Sequence, residues 1–517
     1  MASDKKDDVP TVADARSPSI DDVIGEKAPV VAADARELYE LYHRSDERDV
    51  DTAEAKRVLR KVDWRILPML FMTYFLQFLD KSGINYASVY GLQKGTHLHG
   101  QDYSWLGSIF YFGYLAAQFP AGYLMQRLPM AKVTGVSILG WGIIMITTPA
   151  CVSFAGIAVN RFLLGALEGV VNPAFILILS MWYSTAEQPI RLESYYCTNG
   201  IATMFGGLIG YAIGHITSGL PQWMYVFLIF GSLSIFWGIV FLLVTPDLPS
   251  TANFLSPAER IVAVKRVAGN RQGIKNAKFS KRQAYQTVVD PKTWMLVIMA
   301  VAAQIPNAAL TSFTSLVIQG FGFDTLGSQY LQIPGGAVHL VSTLTGGYIC
   351  SRFRNVRFIT MIVASTICIL GSGLLVGLPN SNKWGRMVAL WLCNLQSLGF
   401  SMSLTIVSSN IGGYTKKQLT GAALFVAYCV GNIIGPQTFR ANEAPGYHSA
   451  YVAMLIGYCI KLLMMVCLYV YMWRVNKSRD RDVLEGRVLT EEEEKDAIER
   501  GMQDMTEIDN RGFRYAL

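Results

Sequence analysis

The sequence predicts an all-α membrane protein of about twelve transmembrane helices, arranged as two six-helix halves. Three observations carry this prediction. Hydrophobic residues make up 51% of the chain and charged residues only 16%, against about 25% charged in a soluble globular protein. The apolar residues collect in runs of about 20, the length that crosses the hydrocarbon core of a bilayer. Lys and Arg collect in alternate connections, the pattern by which membrane orientation is set.

Taken in order, the spans lie near 66–90, 104–125, 132–152, 155–182, 193–216 and 222–244, then 293–317, 327–350, 356–378, 385–408, 418–438 and 449–473. Residues 1–60 form a polar tail with no apolar core, so no secretory signal peptide is expected. Residues 1–35 lack periodicity and are expected to be disordered. Residues 50–63 read as a short amphipathic helix leading into span 1. The first half then occupies 61–244, a basic linker 245–292, the second half 293–473 and a closing tail 474–517. Four glutamates at 491–494 point to a solvated helix that frays towards its end.

Charge places the ends. Arg127 and Lys132 follow span 2, Arg352, Arg354 and Arg357 follow span 8, and the linker holds Arg260, Lys265, Arg266, Arg271 and Lys275 among others. These connections share one side, which the positive-inside rule makes cytoplasmic, with both termini. The sparsely charged opposite side carries Lys94 and Asp102, Asp324, Lys383 and Arg386, and Arg440 and Glu443. Gly122-Tyr123-x-x-x-Arg127 and Gly347-Tyr348-x-x-x-Arg352 repeat at equivalent places of the two halves, as parallel repeats would.

Several function classes drop out. The eight cysteines stand singly in apolar segments, without CxxC or metal-ligand spacing. No G-x-x-x-x-G-K-[ST] motif is present, which disfavours an ATP-driven pump. The net charge of +7 is explained by orientation and does not call for nucleic acid. Nothing resembles an enzyme's catalytic set, no cofactor is expected, and the chain is expected to act as a monomer in the bilayer. The sequon Asn476-Lys477-Ser478 falls on the cytoplasmic side, where no glycan is expected.

The chemistry lies in charges inside the spans. Asp80 and Lys81 interrupt span 1, and Arg161 and Glu168 interrupt span 4. An intramembrane charge costs roughly 2.5–3.5 kcal/mol or more, and by default marks a solute or proton path. Arg161, Gly165, Glu168, Gly169 and Asn172 fall on one helix face. Tyr74, Gln77, Lys81, Asn85 and Ser88 form a matching stripe on span 1. These place Lys81 and Arg161 as anion-binding groups, Gln77 and Asn85 as neutral contacts, and Glu168 with Asp80 as proton-coupling groups. On this reading Asp80 neutralises one of the two cations as an internal salt bridge and the other stays free for a carboxylate; the structural alternative is a fully paired ionic cluster. The second half offers Gln304, Asn307, Thr311 and Ser315 in span 7, Asn394, Ser397, Ser401 and Ser408 in span 10, and Tyr428 and Asn432 in span 11. Of these, Asn307, Tyr428 and Asn432 are the candidate solute contacts. His215 and His339 are more simply read as hydrogen-bonded to neighbours, and Lys461 in span 12 as a snorkelling or paired cation. Gly206, Gly210 and Gly214 form a close-packing face where the halves meet.

Several motifs carry a resemblance to a known family. They are Phe78-Leu79-Asp80-Lys81-Ser82-Gly83-Ile84-Asn85, Tyr103-Ser104-Trp105, Arg161-Phe162-Leu163-Leu164-Gly165-Ala166-Leu167-Glu168 and Glu187-Gln188-Pro189-Ile190-Arg191. The second half adds Asp290-Pro291-Lys292-Thr293-Trp294, Ile333-Pro334-Gly335-Gly336 and the run from Tyr428 to Pro436. Over roughly residues 55–478 the chain resembles the anion:cation symporter branch of the major facilitator superfamily, and within it the fungal allantoate permease group. The resemblance implies the major facilitator fold and proton-coupled import of a small organic anion across the plasma membrane. Solutes of the group include ureides such as allantoate, vitamin carboxylates, sulfonates and dipeptides. It also implies that Arg161 is anion-binding or gating and Glu168 proton-linked. The superfamily's usual Asp and Gly after span 2 are replaced by Gln126 and Pro129. An Arg found in span 7 of some distant relatives is absent, as is the Gly-Pro step of span 5 that marks drug:proton antiporters. Export of a fungal secondary metabolite and, further off, a nutrient sensor that does not transport are the alternatives.

Overall fold

The computed structural model describes residues 52–184, 187–268, 279–353, 355–484, 505–510 and 513–517. Among them, twelve helical rods follow one another, with short connections except for the linker between the sixth and seventh, which carries the helices Pro257–Ala268 and Lys281–Val289. Seven rods are long and apolar enough to cross a membrane by length and composition: Met130–Ala150, Phe154–Trp182, Gln222–Val244, Pro291–Gly320, Arg357–Gly377, Tyr414–Gln437 and His448–Arg481. The other five are spans 1, 2, 5, 8 and 10. Spans 1, 5, 8 and 10 line the cavity described below, and the polar residues they present to it dilute their hydropathy.

Span 1 starts further back than the sequence suggests. One helix, Thr52–Lys81, absorbs the amphipathic segment ahead of the span and continues through Pro68. It breaks at Ser82 and resumes as Gly83–Ser88. Span 4 breaks in the same way, Phe154–Glu168 giving way to Val171–Trp182. Span 5 is split into Gln188–Tyr196 and Thr198–Gly214, and span 10 into Lys383–Cys393 and Ser397–Asn410. In span 7 a π-helical turn, Ala309–Phe313, separates Pro291–Ala308 from Thr314–Gly320. Such turns recur at functional sites because they re-aim the residues around them.

Small residues let backbones touch. A Cβ on Gly165 would lie 1.9 Å from the Phe110 carbonyl oxygen, and one on Gly113 would lie 2.0 Å from that of Phe162. No side chain fits there, so spans 2 and 4 meet backbone to backbone. Between the halves, Gly200 of span 5 and Gly336 of span 8 approach in the same way, each 2.6 Å from the other's carbonyl oxygen by that measure. Of the three glycines singled out in span 5, Gly210 and Gly214 face Gln329 and Leu326 of the second half, while Gly206 faces Tyr86 of span 1.

The end of the bundle that carries the linker is laced by ion pairs. Arg191 grips Asp63 through two 2.8 Å bonds. Glu187 takes the linker's Arg266 at 2.8 Å, and Lys61 takes the linker's Glu259 at 2.6 Å. The Glu187…Arg191 motif is thereby explained: it ties the start of span 5 to span 1 and to the linker helix Pro257–Ala268.

The end of the chain differs from the expectation of a fraying helix. The last rod, His448–Leu484, is continuous. The four glutamates at 491–494 lie outside the described residues. Beyond them, Thr506, Glu507 and Asn510 are buried, and Tyr515 packs into the core of the second half.

Candidate functional site

A cavity opens between the halves at mid-length of the rods. Span 1 contributes Tyr74, Phe78 and Lys81, and span 5 contributes Tyr196, Asn199 and Thr203. Span 7 contributes Gln304, Asn307, Leu310 and Thr311, span 8 His339 and Thr343, span 10 Asn394, Gln396 and Ser397, and span 11 Tyr428. Among the described lining residues, Lys81 is the one lysine, and no arginine or acid joins it. A smaller recess adjoins the cavity, sharing Lys81, Tyr74, Phe78, Asn199 and Tyr428 with it. It adds Gln77, Phe110, Tyr114, Glu168 and Asn172.

The helix breaks place the charges. Lys81 is the last residue of its helix, where the dipole favours a cation. Its ammonium lies 5.1 Å from the centre of the Phe78 ring. Glu168 is the last residue of its helix, where the dipole opposes an anion. The carbonyls at this break are taken up by side chains: Gln77 donates to that of Glu168 at 2.9 Å, and Gln118 to that of Gly169 at 2.8 Å. The Glu168 side chain is fully buried, and among the described residues neither of its carboxyl oxygens has a hydrogen-bond partner. An ionised carboxylate in such a place bears its whole desolvation cost.

The polar face of span 4 looks at span 2. Gly165 packs on Phe110, Gly169 on Tyr114, and Asn172 donates to the Tyr114 hydroxyl at 2.7 Å. Glu168 and Asn172 reach the recess from this face. Arg161 is two turns away, 3% exposed, its guanidinium 5.8 Å from the Phe227 ring and its Nη2 unpartnered. It is not among the residues lining either hollow. Asp80 points into the first half, where Oδ2 accepts from Trp141 Nε1 at 2.9 Å and from the Ser234 hydroxyl. Its Oδ1 is unpartnered. The paired ionic cluster of the structural alternative is not found: among the described residues, no nitrogen–oxygen approach within 4.0 Å joins any of Asp80, Lys81, Arg161 and Glu168. The reason is local. Trp141 and Ser234 draw one oxygen of Asp80 into the first half, and successive residues of one helix, as Asp80 and Lys81 are, point about 100° apart.

In the second half a chain of amides backs the wall. Asn432 donates to Gln304 at 3.1 Å, Asn307 donates to Asn432 at 2.9 Å, and Gln396 donates to Asn307 at 3.3 Å. Asn432 is fully buried behind this wall, whereas Asn307 and Tyr428 line it. Lys461 neither snorkels nor pairs with an acid. It is 1% exposed and donates to the Gln396 carbonyl at 3.4 Å. His215 is exposed and bonded to the Tyr211 carbonyl at 3.0 Å, while His339 lies on the cavity wall. The side chains of Ser401 and Ser408 lie outside the described residues.

Away from the linker the cavity is sealed. Asn85 donates to Gln332 at 2.9 Å and accepts from the Ser315 amide at 2.8 Å. Tyr103 reaches the Ser312 carbonyl at 2.7 Å, Gln101 the Phe439 carbonyl at 2.8 Å, and Ser108 the Ile433 carbonyl at 2.7 Å. Phe313 and Phe439 stack at 4.0 Å beside them. Asn85 is therefore a contact between the halves, off the cavity wall. Towards the linker the wall is aromatic, with Tyr74 against Tyr195 and Tyr196 at 5.0 and 5.2 Å, and Tyr114 stacked on Phe425 at 5.4 Å.

The sequence reading missed Asn199, Thr203 and Gln396 as lining residues. Tyr196, Asn199 and Thr203 recur at offsets of three and seven on span 5, a signal masked by the neighbouring glycine face.

This arrangement of two halves around one polar hollow agrees with the comparison to known proteins. Residues 70–436 match the Major Facilitator Superfamily. The chain belongs to that superfamily. It is similar to the allantoate permease of Saccharomyces cerevisiae, 32% identical over 493 residues, covering 93% of this chain and 90% of that one. It is also similar to the thiamine pathway transporter THI73 of the same yeast, 32% identical over 461 residues, covering 89% and 86%. Among solved structures, a D-xylose-proton symporter superposes with a TM-score of 0.60 at 13% identity, covering 78% of this chain and 97% of that one. This last likeness shows the fold alone. As a superfamily member related to these permeases, the chain is a multi-pass membrane transporter and not an enzyme. The two yeast relatives are equally similar yet carry different names, so identity alone does not select a solute.

Proposed function

We propose that this transporter imports a small organic anion together with protons across the plasma membrane. The observation that supports it is the placement of Lys81, the one lysine on the described cavity wall, beside a recess that it shares with Glu168. A carboxylate or sulfonate pairs with the Lys81 ammonium, a charge-assisted hydrogen bond in a site of low dielectric. Asn307, Gln396, Asn199 and Thr203 supply donors and acceptors that orient the rest of the solute. Glu168 takes a proton when the solute is bound and yields it on the other side. Arg161, buried behind span 4, sets the potential felt by Glu168 and Asp80. The solute is a small organic anion of the classes that the resemblance in the sequence implies: a ureide such as allantoate, a vitamin-type carboxylate, a sulfonate or a dipeptide.

The test is uptake of a labelled panel of these anions into yeast cells lacking their own permeases, at about pH 5 and about pH 7.5. One class is expected to enter saturably, several-fold faster at the lower pH, and to stop when a protonophore collapses the gradient. Uptake indifferent to pH and protonophore, or a preference for an uncharged solute, refutes the proposal.

The Lys/Arg bias places the linker end in the cytoplasm. An epitope tag inserted in 269–278 is then expected to be stained only after the membrane is permeabilised. Staining of intact cells would reverse the orientation.

A further inference from the structure

A second site lies at the linker end of the second half, far from the cavity. Asp290 and Lys292 open span 7, and Asn410 closes span 10. Lys416 lies in the first turn of span 11, and Asn476 and Arg479 lie near the end of span 12. Together they form a groove, and residues 505–510 and 513–517 lie in it.

The centre of the groove is ionic. Lys292 and Lys416 are both fully buried. Lys292 donates to Glu507 at 2.5 Å and to the Tyr515 hydroxyl at 2.6 Å. Lys416 donates to Asp290 at 2.6 Å and also to Glu507. The other Glu507 oxygen accepts from the Gly412 amide at 2.8 Å. Two cations are thus balanced by two anions, one of which belongs to the docked segment. Burial works against the Asp290 carboxylate, yet Lys292 and Lys416 hold it below the ordinary carboxylate range.

Around this centre the groove reads peptide backbone. Asn410 bonds both the amide and the carbonyl of Ala516, at 2.7 and 3.0 Å. Asn476 bonds both groups of Tyr515, each at 2.9 Å. Arg479 donates to the carbonyls of Phe513 and Glu507 at 2.6 and 2.7 Å. Phe513, Tyr515 and Leu517 pack on the apolar core of the second half. Two asparagines that each pair with both backbone groups of one residue, together with three apolar anchors, make a recognition site for an extended segment.

We propose that this groove is a peptide-binding site whose ligand is the chain's own segment 505–517, held in cis and able to dissociate. The grip is mostly polar. Buried ion pairs and hydrogen bonds exchange for hydration when released, so their net worth is small and the docking reversible. The groove joins spans 10 and 11 to spans 7 and 12. Span 11 packs on span 2 of the first half, and span 10 touches the start of span 5. An occupied groove therefore fixes the two helices that must slide against the first half. An empty one leaves Lys292 and Lys416 sharing Asp290 alone, so their ends open to water.

The test uses the full chain with a protease site placed within 490–500, cleaved after purification in detergent. The released fragment is expected to stay bound through gel filtration and to exchange with a fluorescent synthetic peptide of residues 505–517. A peptide carrying Glu507→Gln should compete about tenfold or more less well, because it leaves a buried lysine unpaired. Transporter carrying Lys416→Gln should show the same loss with the unaltered peptide. Stripping the fragment should lower the thermal unfolding midpoint, and adding the peptide should restore it. Four results overturn the proposal: immediate loss of the fragment with no peptide binding, a bound fragment that refuses exchange, competition indifferent to Glu507→Gln, or an unfolding midpoint unmoved by stripping.

Discussion

Lys81→Ala is expected to lower anion uptake by about 100-fold or more, while the protein still folds and reaches the membrane. The size follows from the lining of the cavity. An anion entering it gives up water, and the one lysine or arginine it meets on the described wall is Lys81. Without that cation the solute's charge stays buried and unpaired, the costliest outcome for a polar group in low dielectric. Folding is expected to survive, because Lys81 has no acid within 4.0 Å to be orphaned by its loss. Lys81→Arg should keep part of the uptake with altered preference, since a guanidinium pairs a carboxylate in a different, bidentate geometry. Uptake and surface biotinylation measured on the same cells separate transport from expression. Near-normal uptake by Lys81→Ala would move the anion site elsewhere, with Arg161 as the next cation to replace.

The fold was legible because apolar runs of spanning length admit few alternatives, and because the Lys/Arg connections divide the chain evenly. Lys81 and Glu168 were legible for a related reason: a charge inside a span is rare enough to be noticed without knowing its neighbours. What each helix face meets was not legible. The stripe of Arg161, Gly165, Glu168, Gly169 and Asn172 is real, yet most of it faces span 2, with Phe110 and Tyr114 taking up the space the glycines leave. Asn85 shares a stripe with Lys81 but lies beyond the break at Ser82, so it bonds Gln332 and Ser315 across the halves. Asn432 looked like a cavity residue and instead holds the amides of Gln304 and Asn307 in place from behind.

The docked segment 505–517 was hidden for a different reason. Lys292 and Lys416 are lysines where the orientation rule already expects them, so nothing marks them as buried. Glu507 sits in a charge-rich tail that reads as solvated. Their pairing spans 215 and 91 positions of sequence, and no local pattern encodes a contact of that range.

The helix breaks connect fold to transport. Span 1 ends its first helix at Lys81 and span 4 ends its first helix at Glu168. A straight helix would bury its carbonyls in its own hydrogen bonds. The span 4 break frees the carbonyls of Glu168 and Gly169, and Gln77 of span 1 and Gln118 of span 2 take them up, so these glutamines tie the break to its neighbours while Lys81 and Glu168 share one recess. Both charges thus sit on helix ends that can shift slightly without breaking a rod.

Glu168→Gln is expected to separate solute movement from proton drive. The glutamine has the shape of a neutral carboxyl and cannot gain or lose a proton. In the native protein a charge on Glu168 meets no hydrogen-bond donor, full burial and the negative end of its helix, each of which raises its cost. Lys81 in the same recess offsets that cost while the cavity is empty. When an anion pairs with Lys81 the offset is withdrawn, and a proton on Glu168 becomes the cheaper way to remove the charge. Solute and proton therefore bind together, and by linkage each raises the affinity for the other by the same factor. Glu168→Gln fixes the neutral form, so exchange of anion across the membrane should continue at a rate within about tenfold of the native one. Accumulation against a gradient should be lost, and the dependence of uptake on pH with it. Counterflow and gradient-driven uptake measured on the same purified variant in liposomes distinguish the outcomes. Accumulation driven by protons as in the native protein would exclude Glu168 as the coupling group. A variant dead in both assays yet folded by gel filtration would instead assign Glu168 to solute binding itself.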